Sequence, residues 1–309
     1  MHVAFVFDSL SKKIIIYLNG YNVGQSASAT SSTGYVGSSG SVYIAMIPFV
    51  GRIDHMTGKK TEDNKNFNNI YIYVLIIFFL VIKRAKCACE ILNDATLTAY
   101  YSFDSGSPDD DGPNFRNGNI FGGVTTVPGY IGKALSFSST STYFRSYDIS
   151  FISKPSSDFS VALWIKPSSV TNGAIIIHIS NNLGGDGFCY PIIGLDSSGR
   201  IVVQVLGSAY KDVVGTVPPL NEWTHIVQTY SPSNGLRLYL NGVLSGSTGA
   251  FNTIGSNNKM YMYVGYYGPD SSPCGVHQLT RQPFIGAIDE LRIYTRELSD
   301  SDVWVLANQ

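Results

Sequence analysis

The chain has 309 residues, room for one large sandwich or two modest domains. Only 14% are charged, about half the usual share, and the net charge is −1. That balance excludes nucleic acid, or an anionic membrane surface, held by charge alone. The 20 Tyr and 31 Gly, with aromatic and β-branched runs broken by Asn-Gly and Ser-Gly, indicate an all-β protein rich in tight turns.

The first pattern is "HVAFVFDSLSKKIIIYLNG" from His2, in which Ile14, Ile16 and Leu18 take one face and Asn19-Gly20 makes the turn. It returns as "HIVQTYSPSNGLRLYLNG" from His225, and "PFVGRIDH" (48–55) returns as "PFIGAIDE" (283–290). Motifs repeated in the same order mark an internal repeat. In the second copy Leu236, Leu238 and Leu240 alternate with Arg237, Tyr239 and Asn241, which predicts a half-buried strand. Asn234-Gly235 and Asn241-Gly242 flank it, and both predict type I′ turns.

Residues 56–90 break the style. The apolar run 70–82 has 13 residues, against about 20 for a bilayer crossing. Lys83, Arg84, Ala85 and Lys86 follow, where a signal peptide would end in small residues. Of the 25 residues 59–83, 18 are Lys, Asn, Ile, Phe or Tyr, whose codons are A- and T-rich. Three readings stand: a membrane anchor, an internal signal starting at Met56, or translated non-coding sequence. The third is favoured, because the first copy stops after "IDH" before its closing strand is complete.

Further strands are predicted at 97–103, 133–137, 159–166, 174–179, 201–206, 224–230, 260–264 and 284–294. Turn signals about every ten residues suggest an antiparallel sandwich. A short helix closes the chain, with Ser299 as N-cap and Asp302 three residues on. Cys87 and Cys89 form a close pair with no zinc-site spacing. Cys189 and Cys274 read either as a disulfide or as two free thiols.

From Cys89 to Gln309 the chain resembles the laminin-G-like, concanavalin A-like jelly-roll superfamily. The landmarks stand in order: "LTAYYSFDSGSPDDDG", "GYIGKALSFSS", "DFSVALWIKPSS", "NEWTHIVQTYSPSNGLRLYLNGV", "YVGYYG" and "PFIGAIDELRIYTRELSDSDV". The resemblance implies an antiparallel two-sheet jelly-roll over 91–309. Residues 1–55 then hold only the back half of such a repeat, the remnant of a preceding domain. The resemblance also implies that Cys189 and Cys274 are partners. Closing that loop is worth roughly 4–5 kcal/mol in the chain-entropy model.

The resemblance is specific for fold and says little about function, since this sandwich hosts lectins, adhesion modules and glycosidases. No E-x-D-x-E-like run of carboxylates is present, and adjacent Asp289 and Glu290 are expected on opposite faces of their strand. Asp104, Asp109, Asp110 and Asp111 cluster in one turn-rich loop, and in relatives the opening and closing strands are neighbours. Asp104, Asp109, Asp111 and Asp289 are therefore the candidate calcium ligands, against the reading of a solvated acidic turn. His225 beside Trp223 reads as packing, and His2 recurs at the same place. Tyr210, Tyr266 and Tyr267 are the candidates for stacking on sugar rings.

The expectation is a non-enzymatic extracellular or cell-surface module for adhesion or recognition, with a glycan or protein ligand. A structural spacer is the alternative, and a glycoside hydrolase a distant third. No nucleic acid is expected, and membrane contact only through 70–82.

Overall fold

The computed structural model describes residues 3–8, 13–18, 21–25, 95–139, 141–268 and 274–309. The chain divides into two units, Met1–Leu80 and Val81–Gln309. The stretch 70–82 and the pair Cys87 and Cys89 lie outside the described residues. Among the described residues, no helix is long and apolar enough to cross a membrane.

The first unit contains the meander β1 (Val3–Asp8), β2 (Lys13–Leu18) and β3 (Tyr21–Gln25). Its register pairs Val3 with Leu18, and a bulge falls between Ile16 and Tyr17 on the β3 side.

The second unit carries β4 (Leu97–Tyr101), β5 (Asn119–Phe121), β6 (Thr125–Pro128), β7 (Lys133–Phe137), β8 (Tyr143–Tyr147), β9 (Phe159–Pro167), β10 (Ala174–Ser180) and β11 (Cys189–Leu195). It continues with β12 (Ile201–Leu206), β13 (Tyr210–Val214), β14 (Thr224–Ser231), β15 (Gly235–Leu240), β16 (Val243–Ser247), β17 (Tyr261–Val264), β18 (Gly286–Tyr294) and α1 (Asp300–Ala307). A seven-stranded sheet runs β13-β12-β11-β10-β17-β8-β5. An eight-stranded sheet runs β16-β15-β14-β9-β18-β7-β6, with β4 also on β18. The fold is a two-sheet antiparallel jelly-roll sandwich with one short C-terminal helix.

The strands repeat at period two, so one row from each sheet meets between them. Ile176, Ile192 and Val203 of the seven-stranded sheet share a core with Leu163, Ile226, Leu238 and Ile288 of the eight-stranded one. The other face of the eight-stranded sheet is also closed. Ala162, Val227, Tyr239 and Tyr294 pack there against Leu298, Val303 and Leu306 around α1. Each such side chain contributes about 1.5–3 kcal/mol by leaving water. Tyr239, expected on an outward and half-exposed face, is therefore buried, and its hydroxyl donates to Asp300 at 2.7 Å. Ser299 caps the helix and Asp302 completes the capping box, as the sequence implies.

The meander β14-β15-β16 repeats the first unit's geometry. Ile226 pairs with Leu240, and the bulge again sits before the tyrosine, between Leu238 and Tyr239. Asn241-Gly242 has both φ angles positive, at 49° and 83°, as a type I′ turn demands. Asn234-Gly235 differs. Only Gly235 has positive φ, and Ser231 pairs with Gly235 across a three-residue loop, Pro232–Asn234. The loop is one residue too long for the predicted type I′ turn. The glycine instead closes a bulged hairpin, where a Cβ would lie 1.6 Å from the Gly249 carbonyl oxygen.

Candidate functional site

Cys189 and Cys274 form a disulfide, with Cα atoms 5.5 Å apart. Cys189 opens β11 on the outward face of the seven-stranded sheet, so the bond pins the segment around Cys274 across that face. Arg281 donates to the Cys274 carbonyl at 2.7 Å, and Gln204 of β12 donates to Val276 at 3.2 Å. The loop before β11 joins this cover. Gly185 offers its carbonyl to His178 Nε2 at 2.8 Å, and Tyr263 donates its hydroxyl to Leu183. Burial drives the His178 pKa down to about 4, so the imidazole is neutral. His178, Cys189 and Cys274 are the one convergent group of three metal-ligand side chains among the described residues. With both sulfurs in the disulfide, no thiolate remains to bind an ion.

The cover explains where the candidate tyrosines lie. Tyr266 and Tyr267 pair ring to ring at 4.0 Å, and Tyr267 sets its edge near His178. Tyr210 keeps other company. It stacks on His277 at 5.0 Å and donates to the Gly275 carbonyl at 3.1 Å. All three are half-buried and engage the cover.

Beyond the cover the outward face on β17, β8 and β5 is partly open: Tyr143 and Tyr263 are buried, Phe121, Arg145 and Tyr261 are half-buried and Tyr147 is exposed. Alternation sends Phe144 of β8 inward and Tyr143, Arg145 and Tyr147 outward. On β17 Met262 points in and Tyr261 points out, and on β5 Ile120 points in and Phe121 out. Register then sets these side chains in rows: Phe121 beside Tyr143, and Tyr147 beside Tyr261. The first pair stacks at 4.6 Å, and the second lies at 4.4 Å with its rings tilted by 34°. The Arg145 guanidinium lies 4.6 Å from the Phe121 ring and 5.9 Å from the Tyr261 ring. Tyr147 is 43% exposed. None of these four residues (Phe121, Arg145, Tyr147, Tyr261) was a candidate from the sequence. The available signal was "YFRSY", whose period of two puts two tyrosines and a cation on one side.

The acidic candidates work inside the fold. Asp289 Oδ2 accepts from the Tyr130 and Ile131 N–H groups at 2.8 and 3.1 Å. Asp104 Oδ1 accepts from the Lys133 N–H at 2.9 Å. Both carboxylates thus grip the turn Gly129–Lys133, whose Gly132 has φ +53° and no room for a Cβ beside Asp104. Asp110 orders its loop by accepting from the Tyr100, Gly112 and Arg116 N–H groups, and Asp111 accepts from Ser102. Asp109 is exposed and takes the Ser107 hydroxyl at 2.8 Å. Asp104, Asp109, Asp111 and Asp289 do not gather their oxygens around one point.

Asp289 and Glu290 do not face opposite ways. The register of β18 against β9 shifts between Asp289 and Arg292, and Glu290 has φ +55°. This bulge breaks the alternation and turns Glu290 toward Tyr100 and Arg292, which lie on the outward side with Asp289. Burial, opposed by hydrogen bonds from Ile131 and Tyr130, pushes the Asp289 pKa up to about 7. Beside them Trp164 stacks on Tyr130 at 3.5 Å and meets His225 at 4.9 Å with the rings tilted by 37°. His225 packs against Trp164, its cross-strand partner, while Trp223 lies near Lys166. A separate cleft of about 570 Å³ near the start of α1 includes Asn234, Arg237 and Glu297. Glu297 is already engaged by Ser231, Asn234 and Arg237.

A two-sheet antiparallel jelly-roll with a short C-terminal helix defines the concanavalin A-like class of folds. The family model of the concanavalin A-like lectin/glucanases superfamily matches residues 138–304, and the chain belongs to that superfamily. Domain 4 of AbnA, a GH43 extracellular arabinanase from Geobacillus stearothermophilus, solved in complex with arabinotriose, is 26% identical. That match covers 69% of this chain and 98% of the domain, with a TM-score of 0.52. The binding domain of Paraclostridial Mosquitocidal Protein 1 is 22% identical over 70% of this chain and 52% of that one, at TM-score 0.50. The botulinum neurotoxin serotype G binding domain is 16% identical over 68% and 50%, at 0.51. The chain spans about half the length of the two toxin domains, and their likeness shows the fold alone. No curated protein sequence matches the chain.

Proposed function

We propose that the second unit is a non-catalytic, extracellular carbohydrate-binding module whose ligand lies on the open half of the seven-stranded sheet. The observation that carries this is the ledge of Tyr147 and Tyr261, side by side at 4.4 Å, with Tyr147 43% exposed. Aromatic faces left in water stack on the apolar faces of sugar rings. The arabinotriose held by the similar arabinanase domain supports sugar as the ligand class. The disulfide supports an oxidising compartment. Asp289 and Glu290, the one pair of neighbouring acids on a strand among the described residues, are buried and bound by hydrogen bonds, which supports a role in the fold rather than in bond cleavage.

The test is a glycan array with the full chain and with Tyr147→Ala. Binding by the first and loss by the second, at equal melting temperature, is the expected result. Silence across neutral and acidic glycans would sink the reading and leave a spacer or a protein-binding domain.

A further inference from the structure

The open face carries a cation that no carboxylate neutralises. Arg145 lies between the rings of Phe121 and Tyr261, with the Tyr263 hydroxyl as a polar neighbour. Among the described residues no carboxylate lies within 4.0 Å of its guanidinium. Along the same edge, Lys259 sits 5.9 Å from the Tyr147 ring. Lys259 and Arg116 share one acid, Asp148, at 3.2 and 3.0 Å. Burial opposes ionisation of Asp148, yet Lys259 and Arg116 outweigh it and hold its carboxyl below the usual range. Arg116 and Lys259 thus share Asp148, while Arg145 has no carboxylate partner among the described residues.

A guanidinium stacked on aromatic rings is weakly hydrated and keeps its fork of N–H donors in plane, the geometry that matches a carboxylate. We propose that this face binds glycans bearing a carboxylate, of the uronic or sialic acid class, with Arg145 as the partner of the acid and Tyr147 and Tyr261 beneath the sugar rings. The proposal rests on the carbohydrate-binding reading above and adds the ligand's charge to it. A sulfate is the competing anion; its single charge is spread over three oxygens rather than two, so each oxygen is a weaker acceptor for the same fork.

The probes are trigalacturonate, galactotriose, which has a hydroxymethyl group in place of each carboxylate, and a 6-sulfated galactotriose. Each is titrated into the full chain by calorimetry. Trigalacturonate is expected to bind about tenfold or more tighter than galactotriose, the scale of one charge-assisted hydrogen bond. It is expected to exceed the sulfated trimer and to weaken as NaCl rises. Arg145→Gln is expected to bring trigalacturonate down to the galactotriose level at unchanged melting temperature, and Arg145→Lys to fall between. If Arg145→Gln melts early, the reading is taken from wild type and Arg145→Lys. Equal binding of acidic and neutral trimers overturns the charge assignment and leaves the carbohydrate reading standing. Stronger binding of the sulfated trimer overturns the choice of carboxylate. No binding of any trimer, with a silent array, overturns both.

Discussion

The two outward faces of the sandwich make opposite use of polar and aromatic residues. On the eight-stranded sheet Trp164 is buried between Tyr130 and His225, and Glu290 is buried against Tyr100 and Arg292. On the seven-stranded sheet Tyr147 and Tyr261 lie beside Arg145, which has no acid within 4.0 Å among the described residues. Buried rings and a hydrogen-bonded Glu290, sealed under a helix and a turn, define one structure. Rings and a cation left in water have surface free energy still to gain from a ligand. The closed face is thus where substitution costs stability, and the open face where it costs binding.

The largest expected effect is on the closed face. Trp164→Ala removes the centre of the stack and is expected to cost about 3–5 kcal/mol, read as a drop in the urea midpoint. A loss below about 1 kcal/mol would break the contrast between the faces. Next comes the disulfide under the cover. Cys189→Ser with Cys274→Ser is expected to cost about 2–5 kcal/mol in denaturant melts of the oxidised protein.

The third effect depends on pH. Burial lowers the pKa of His225 to about 3, with Arg292 adding to it, and that of His178 to about 4, against 6.5 for a free imidazole. Below 6.5 the unfolded chain takes up protons that the folded one refuses, so the stability from these groups is present above 6.5 and is lost as pH falls toward 4. Asp289 acts the other way. Its raised pKa favours the protonated folded form, so its contribution declines as pH rises from about 4 to about 7. Both ring nitrogens of His225 lack a hydrogen-bond partner. His225→Phe is therefore expected to flatten the loss of stability between pH 6.5 and 4 without destabilising the protein at pH 7. An unchanged acid limb would sharpen attention on His178.

The smallest effect on stability is on the open face. Tyr147→Ala is expected to change the unfolding free energy by less than about 0.5 kcal/mol, read from urea melts, while abolishing glycan binding.

The fold was legible because each piece of it is local. Two copies of one meander keep the same register and bulge in separate units, so the alternation around "YLNG" encodes the pairing by itself. The Ser299 capping box is equally local. The misreadings arose where distant residues intervene. Tyr239 looks exposed until α1, some 60 residues on, covers it. Asp289 and Glu290 look opposed until a bulge forms against β9. The open face escaped notice because it is assembled from β5, β8 and β17, whose residues are far apart in sequence and meet only through register. The tyrosines that did stand out engage the cover, Tyr210 from the start of β13 and Tyr266 and Tyr267 from the turn after β17.

The most direct test of this division of labour is amide shift mapping of the full chain during titration with trigalacturonate. The expected result is a single patch of perturbed amides spanning Phe121, Arg145, Tyr147 and Tyr261, with the surroundings of Trp164 unmoved. Perturbation centred on Tyr210, Tyr266 and Tyr267, or on the helix-covered sheet, would contradict the account.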